Sequence, residues 1–475
     1  MSAIPPWEWA LASLIPLAAI VSCVYNDTVS LTVWSTNLWD VIADGNLFGF
    51  YEYTARNIYD LPNRYMGCDI FAILPLSVWN FPIWLIQRFG GAAIAKSAPM
   101  LVWSKLGLEA AYLLCAGTAY KIALLMTSDK DRSLWAAFLT AFSCASSVGV
   151  GIAGQTDVFV VLYGALSVYA LMKGQEGRAL LFAAISVAVK PFFVFAFLPI
   201  VLLSEKNIFK AALRWLISFS LAVIFRLIGL LFPMYAESMS SGPSARVLVN
   251  LFKLGIDSLY GKASLFLLCL LFFCLIAYTT KPRSEDERRR FIVYLAAGVF
   301  MTMSVFSRTD FYRFILAFPY AAVLVVSNAP KLRFNMFLLF VYQVFVELGF
   351  ALGSFNALSA YYVRGSLLGM AAKPDKLVTD AEKASLKALA MAVDEDHKIQ
   401  TFFLGVAAAL AVAAVAVLLT VNHPRFKYKF DIEKDGAFKG YDHALLLLNA
   451  AAFLPFLAIL YAMYFHLSQF YSLLG

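Results

Sequence analysis

The sequence predicts an all-α, polytopic helical membrane protein with about thirteen transmembrane or half-membrane helices. Hydrophobic residues make up 61% of the chain and charged residues only 14%, whereas soluble globular domains have about 45–50% and 25%. Apolar runs of roughly 18 residues or more, long enough to cross a bilayer, recur along the whole length. The net charge of +8 fits basic cytoplasmic loops, so no nucleic-acid partner is expected.

The first apolar segment, Trp7 to Tyr25, has no basic leader and no small-residue cleavage site ahead of it, so it is predicted to be a retained helix. The polar stretch after it carries more acidic than basic residues, which favours the outer side of the membrane. We expect a large first outer loop over residues 26–98. Within it, residues 69–86 are apolar but contain Pro75 and Pro82, which favours a broken or interfacial segment.

The later apolar runs predict spans at residues 99–126, 133–150, 158–172, 179–203, 215–235, 264–280, 291–307, 314–329, 334–353, 401–421 and 444–465. Placing the Lys- and Arg-rich loops in the cytoplasm orients these spans. We divide the chain into a membrane module over residues 1–215 and C-terminal membrane helices over residues 216–475. The second part contains an outer loop at residues 354–400.

Two pairs of residues within the spans are notable. Lys190-Pro191 stands at the centre of one span, where a charge must face water or a partner. The pair fits two half-helices that meet at a cavity, and equally well one kinked helix with a snorkelling lysine. Lys105 and Glu109 are one helical turn apart and are expected to form an intramembrane pair.

On this topology, the outer face gathers carboxylates from early loops and cationic side chains from later segments. The set comprises Asp27, Asp40, Asp44, Gln155, Asp157, Lys190, Arg308, Asp310 and Arg313. A carboxylate can deprotonate a hydroxyl, and Lys or Arg can hold a departing phosphate. The set therefore suits transfer from an anionic lipid carrier. Alternatively, Asp27 is a polar residue that merely ends the first span.

The layout resembles that of the GT-C superfamily of membrane glycosyltransferases, which take sugars from polyprenyl-phosphate carriers on the outer or lumenal face. Asp27 stands where that superfamily has its usual catalytic acid, and its spacing to Trp34 is similar to that in dolichyl-phosphoglucose-dependent transferases. Gly154-Gln-Thr-Asp157 resembles the acidic motif of the second outer loop. The segment from Ser307 to Tyr320 is similar to a lumenal mannosyltransferase element, matched by Arg313, Phe314, Ile315 and Pro319. The His-Lys of that element is replaced by Arg308-Thr309.

The resemblance implies a role for each candidate residue. Asp27 is the expected general base, with Asp40 as the alternative. Asp40 lies two turns along an amphipathic helix and could instead be an exposed polar-face residue. Asp157 orients the acceptor or Asp27 unless it is only a helix N-cap. The expected substrate-binding residues are Trp34, Gln155, Lys190, Arg308, Arg313 and Tyr312. A divalent cation, Mg²⁺ or Mn²⁺, is the one cofactor left open, with Asp27 and Asp157 as its ligands. Asp44 is expected to form a turn.

The expected activity is transfer of mannose or another hexose from a polyprenyl phosphate to a hydroxyl of a glycolipid, polysaccharide or protein, with inversion. The expected setting is multi-pass in a bacterial plasma membrane rather than the endoplasmic reticulum, among membrane lipids, with the active site on the outer face. Two alternatives stay open. A lipid-linked oligosaccharide flippase or transporter should show repeated halves and mid-membrane charges. A polysaccharide polymerase or ligase should use the late outer loop.

Overall fold

The computed structural model describes residues 4–22, 26–56, 65–91, 97–241, 247–259, 261–307, 311–353, 398–425 and 439–455. Over these residues the chain is mostly helical, which confirms the predicted helical class. The described part also contains one antiparallel hairpin, formed by β1 (Gly255–Ser258) and β2 (Gly261–Ser264). In this hairpin Gly255 pairs with Ser264 and Ser258 with Gly261.

The α-helices of the described residues are, in chain order, α1 (Pro6–Ser22), α2 (Asn26–Ala43), α3 (Phe50–Ala55), α4 (Ile70–Trp79), α5 (Phe81–Gly90), α6 (Ala98–Thr127), α7 (Lys130–Ala141), α8 (Cys144–Ser146), α9 (Asp157–Met172), α10 (Glu176–Val189), α11 (Phe193–Ser204), α12 (Ile208–Ile217), α13 (Ser220–Gly229), α14 (Tyr235–Ser241), α15 (Val247–Leu251), α16 (Leu265–Thr279), α17 (Glu285–Phe306), α18 (Phe318–Ser327), α19 (Leu332–Gly353), α20 (Lys398–Val421) and α21 (Lys439–Ala451). A π-helical stretch, Ser147–Ile152, continues α8. Short 3₁₀ turns are at Leu47–Gly49, Phe311–Leu316 and Ala329–Lys331.

Four helical segments of the described chain are long and apolar enough to cross a bilayer: Ala98–Thr127, Lys130–Ile152, Glu285–Phe306 and Phe402–Val421. Three pairs of helices meet the same criterion together but are bent by more than 40°. They are Ile70–Trp79 with Phe81–Gly90, Ile208–Ile217 with Ser220–Gly229, and Phe318–Ser327 with Ala329–Leu348. The described residues thus contain four to seven candidate spans, and the count of about thirteen helices across the membrane stays a prediction.

The segment predicted as the first outer loop is largely helical where it is described. Its polar composition is accommodated in α2 because Ser and Thr hydroxyls donate to backbone carbonyls one turn back. Thr32 donates to Thr28 (2.8 Å) and Thr36 to Val33 (2.8 Å) in this way. Most of the helix is buried, so α2 is a packed polar helix and not a solvated loop.

The structure contains both chain breaks that the prolines indicated. α4 and α5 meet at 72° around Asn80, and Pro82 lies in the first turn of α5, where its missing N–H removes no helical bond. α10 and α11 are separate helices on either side of Lys190-Pro191. Lys190 has an extended backbone (φ −156°, ψ 143°), the conformation that a following proline favours. Of the two alternatives for this span, two helices is the one observed.

Lys105 is fully buried in α6 and does not pair with Glu109, so that prediction is wrong. Its ammonium group donates to the carbonyl oxygens of Ile20 (3.3 Å) and Gly151 (2.6 Å). Ile20 lies in the last turn of α1, where carbonyls have no partner within the helix. A Cβ on Gly151 would lie 2.6 Å from the Ala19 side chain, so glycine permits this close approach. Lys105 therefore joins the end of α1 and the π-helical stretch to α6.

We expect Lys105→Met to lower the thermal stability of the detergent-purified protein. The change leaves two carbonyls without their donor, and each buried unsatisfied group costs about 1–3 kcal/mol. Thermal unfolding measured by intrinsic fluorescence tests this, with Lys173→Met as the control because Lys173 is exposed. Equal melting temperatures for wild type and Lys105→Met would contradict the assigned role.

Candidate functional site

Four of the predicted site residues form one hydrogen-bonded set, which we call the polar network: Asp27, Gln155, Lys190 and Asp157. The Gln155 amide nitrogen donates to the Asp27 carboxylate (2.5 Å), and the amide oxygen accepts from the Lys190 ammonium (3.4 Å). The same ammonium forms an ion pair with Asp157. The amide orientation follows from these partners, because a carboxylate only accepts and an ammonium only donates. The structure thus brings together residues that are far apart in sequence.

A tight turn after the π-helical stretch presents Gln155 to the start of α2. Gly154 has φ +56°, in the left-handed region that favours glycine, and a Cβ there would lie 2.5 Å from Thr28 Oγ1. The Thr28 hydroxyl donates to the Ala153 carbonyl (3.0 Å). These contacts lock the turn against the first turn of α2 and hold Asp27 beside Gln155.

The ion pair of the network is buried on its acidic side. The Asp157 side chain is 1% exposed and that of Lys190 is 19% exposed. Asp157 begins α9, where the positive end of the helix dipole stabilises a carboxylate, while Thr156 occupies the N-cap position. Among the described residues Asp157 Oδ1 has no hydrogen-bond partner. This buried carboxylate at the start of α9 is therefore positioned to bind the Lys190 ammonium.

Arg313 and Tyr312 approach the same chain break through Phe192. The guanidinium carbon of Arg313 lies 5.2 Å from the ring centres of both Phe192 and Tyr312, and its Nη2 donates to the Tyr312 hydroxyl (3.2 Å). Stacking on aromatic faces stabilises a guanidinium that is only 5% exposed. Because Phe192 follows Lys190 by two residues, Arg313 packs against the break between α10 and α11 at which Lys190 also lies.

The two candidate bases lie at opposite ends of α2. At about 1.5 Å of rise per residue, Asp40 lies roughly 20 Å from Asp27 along the helix axis. Asp40 is buried and accepts hydrogen bonds from the Trp84 indole (2.8 Å) and the Tyr53 hydroxyl (3.4 Å). Burial raises the pKa of Asp40 above its ordinary value, and these two hydrogen bonds oppose the rise. Asp40 is therefore not part of the polar network.

Two further predicted residues, Trp34 and Asp44, lie farther along α2 and in the turn after it. Trp34 is buried in α2 and lies two turns after Asp27 on the same helix face. Asp44 lies in the turn that ends α2 and forms an ion pair with Arg88 (2.8 Å). Two residues of the late motif, Arg308 and Asp310, lie outside the described residues.

Cys68 lies within electrostatic range of the polar network, which the sequence did not indicate. Burial raises the pKa of its thiol to about 12, whereas the Lys190 ammonium lowers this pKa and nearby carboxylates raise it. Burial thus favours the protonated thiol, which is its less reactive form. No local pattern marks Cys68, Thr28 or Phe192 as neighbours of the network, because only the folded chain brings them there.

The donor groups around Asp27 and Asp157 fit an ammonium group and not a metal ion. The described residues contain no group of three or more His, Cys, Asp or Glu side chains arranged for a metal. Lys190 already supplies positive charge between Asp157 and Gln155. The part of Gln155 that faces Asp27 is an N–H donor, which cannot bind a metal.

Comparisons with protein-family models, with curated proteins and with solved structures find no match for this chain. The resemblance to the GT-C transferases therefore stays a prediction. Functional inference depends on the polar network and its surroundings.

Gly154→Ala should destabilise the protein by about 1–3 kcal/mol, because a left-handed backbone is strained for any residue with a Cβ and the added methyl meets Thr28. Gly177→Ala is the matched control, since Gly177 lies in the first turn of α10 with nothing within 4 Å of the added Cβ. The control change should be neutral or stabilising by up to about 1 kcal/mol, the value for a helix interior. Thermal unfolding of the three proteins measures both effects. A Gly154→Ala variant as stable as Gly177→Ala would rule out the proposed strain.

Because burial raises the pKa of Asp40, its ionisation disfavours the folded state. The contribution of the protonated Asp40 carboxyl to the free energy of unfolding is fully present below the unfolded pKa of 3.8. It is lost as pH rises through the higher pKa of the folded state. We therefore expect Asp40→Asn, which cannot ionise, to remove part of the decline in melting temperature above pH 3.8. Ser35→Ala, which changes no ionisable group and removes only a neutral hydrogen-bonding hydroxyl, is the control and should keep the shape of the wild-type profile. Parallel profiles for wild type and Asp40→Asn would disprove this effect.

Proposed function

We propose that the protein is an integral membrane glycosyltransferase that moves a hexose from a polyprenyl-phosphate carrier to an acceptor hydroxyl. The observation that carries the proposal is the polar network, in which one amide holds a carboxylate and an ammonium side by side. Transfer from an anionic carrier needs these two groups: a base for the hydroxyl and a cation for the departing phosphate.

Asp27 is the general base in this proposal. The Gln155 amide fixes one carboxylate oxygen, so the carboxylate has a defined orientation. The acceptor hydroxyl gives its proton to Asp27 while its oxygen attacks the anomeric carbon of the hexose. The bond from that carbon to the phosphate oxygen breaks, and its electron pair leaves on the phosphate. One attack opposite the leaving group inverts the anomeric configuration.

Lys190 binds the departing phosphate. An ammonium has three N–H donors, of which Asp157 and Gln155 take two, and the side chain keeps 19% exposure. Arg313 adds a second positive charge at the same break, where its planar fork suits phosphate oxygens. Together they stabilise the negative charge that builds on the leaving group. Tyr312, beside Arg313, and Trp34, on the Asp27 face of α2, complete the proposed substrate-binding set.

The proposed site faces the outer side of the membrane. Arg288 donates to the carbonyl of Leu171 (3.3 Å), and it belongs to the run of arginines in the first turns of α17. Leu171 and Asp157 lie near opposite ends of α9, roughly 20 Å apart. Because basic clusters mark the cytoplasmic side, the polar network belongs to the opposite side. A bacterial plasma membrane is the proposed host membrane.

We expect Asp27→Asn to abolish most hexose transfer while Asp40→Asn retains it. Loss of a general base typically costs 10²–10⁴-fold in rate, or about 3–5 kcal/mol of barrier. The measurement is transfer of radiolabelled hexose from a panel of synthetic polyprenyl-phosphate donors by the purified proteins. The two substitutions are chemically identical and lie in one helix, so each controls for the other. Full activity in Asp27→Asn, or no transfer from any donor by well-folded wild type, would refute the proposal.

One observation favours transport as a second candidate function. Glu347 in α19 is buried, and within the described part of the chain neither of its carboxylate oxygens has a hydrogen-bond partner. Ionisable groups inside membrane segments commonly mark ion or substrate pathways. Flux of a lipid-linked oligosaccharide in liposomes that is lost in Glu347→Gln, combined with no hexose transfer, would replace the first proposal with this one.

A further inference from the structure

The face of α2 that begins with Asp27 carries polar atoms that the protein itself leaves unused. Ser30, Trp34 and Asn37 follow Asp27 at helical spacing, so all four lie on one face. The three side chains are buried, with exposures of 0%, 5% and 2%. Among the described residues, Ser30 Oγ, Trp34 Nε1 and Asn37 Oδ1 have no hydrogen-bond partner. We call these three residues the polar row.

The face of α2 that packs against α4 is different, because its polar groups are satisfied. Ser35 Oγ accepts from the Asn80 amide (2.8 Å) and donates to the Thr32 carbonyl (2.6 Å). The Trp39 indole donates to the Ser77 carbonyl (2.8 Å). Unsatisfied buried polar groups destabilise a fold, so three of them in one row do not serve stability. The row instead offers a ligand three polar atoms that the protein does not use.

The chemistry of the polar row matches sugar hydroxyls better than phosphate. A serine hydroxyl donates and accepts, an indole only donates, and an amide oxygen only accepts. A sugar hydroxyl can satisfy all three, whereas a phosphate oxygen cannot donate to Asn37. The indole of Trp34 also offers an apolar surface to the carbon side of a sugar ring. The row contains no cation, and the positive charge of the site lies at Lys190.

The direction of the polar row indicates which substrate it meets. The turn that holds Gln155 contacts α2 in its first turn, at Asp27 and Thr28. From there the row leads along the helix for about 10 Å between Ser30 and Asn37. In a single displacement the leaving phosphate and the attacking hydroxyl are on opposite sides of the anomeric carbon. With phosphate at Lys190 and the base at Asp27, the row lies on the acceptor side.

We propose that the polar row binds a carbohydrate acceptor, so that the acceptor is a glycan and not a lipid headgroup or a peptide. This inference rests on the proposed function, because it names the second substrate of that reaction. Ser30, Trp34 and Asn37 hydrogen-bond the hydroxyls of the acceptor sugar and direct one further hydroxyl to Asp27. They are binding and positioning residues, and the proton transfer stays with Asp27.

The test uses Ser30→Ala, Trp34→Phe and Asn37→Leu, each of which removes the polar atom without a partner; Asn37→Leu also removes the amide nitrogen. We expect Ser30→Ala and Asn37→Leu to keep or raise the melting temperature, because no hydrogen bond of the protein is lost. Trp34→Phe also leaves a cavity in the core, so its melting temperature should fall. The acceptor is a soluble oligosaccharide of mannose, glucose or galactose. Its KM should rise about 3- to 10-fold, which corresponds to the loss of one hydrogen bond. The KM for the donor should stay unchanged. Ser35→Ala is the matched control and should lower the melting temperature while leaving acceptor KM unchanged.

The outcomes separate this inference from the proposed function. If wild type transfers hexose to glycans but the three variants keep wild-type acceptor KM, the polar row is not the acceptor site and the function stands. Transfer only to lipid or peptide hydroxyls leads to the same conclusion. If wild type transfers no hexose, the function fails, and binding of the same oligosaccharides is then measured by thermal shift. A shift that the variants lose supports the row as a glycan site, and no shift in wild type overturns it.

Discussion

The ion pair between Lys190 and Asp157 holds together the part of the molecule on which the proposed chemistry depends. A lysine at a break between two apolar helices needs a partner, because an unpaired buried charge costs several kcal/mol. Asp157 provides that partner at the start of α9, where the helix dipole favours a negative charge. Once these ends are joined, the turn at Gly154 presents Gln155 to Asp27, so the first turn of α2 is positioned as well.

Features of the fold that depend on local composition could be predicted from the sequence. Apolar runs identify the helices, and the breaks at Pro82 and Pro191 follow from the geometry of proline. Of α2, only an amphipathic helix around Asp40 was predicted. The full length of the helix could not be predicted, because its many hydroxyl residues suit a loop as well as a helix that satisfies them internally. The partners of Lys105 could not be predicted either. Its carbonyl acceptors lie 85 and 46 residues away in sequence, whereas the predicted partner Glu109 is only one helical turn away.

The candidate site was partly predictable for a related reason. Asp27, Gln155 and Asp157 stand at the ends of apolar runs, and topology collects such ends on one side of a membrane. The choice between Asp27 and Asp40 could not be made from the sequence. In an extended loop both carboxylates could approach the same cation, whereas a continuous helix keeps them roughly 20 Å apart. The polar row was invisible for the same reason, because its members share a face only if α2 is a helix.

Gln155 explains how the proposed site can hold a base and a cation close together without a direct ion pair between them. If Lys190 bound Asp27 directly, the ion pair would stabilise the charged carboxylate and weaken it as a base, and the ammonium would lose a donor needed by phosphate. An amide between them donates to one and accepts from the other, so both stay oriented without direct pairing. Asp157 meanwhile compensates the lysine charge from a nearly fully buried position, whereas the lysine side chain keeps some exposure, which the proposed phosphate binding requires. In the proposed reaction, the charge that stabilises the fold is therefore separate from the charges that would act on the substrate.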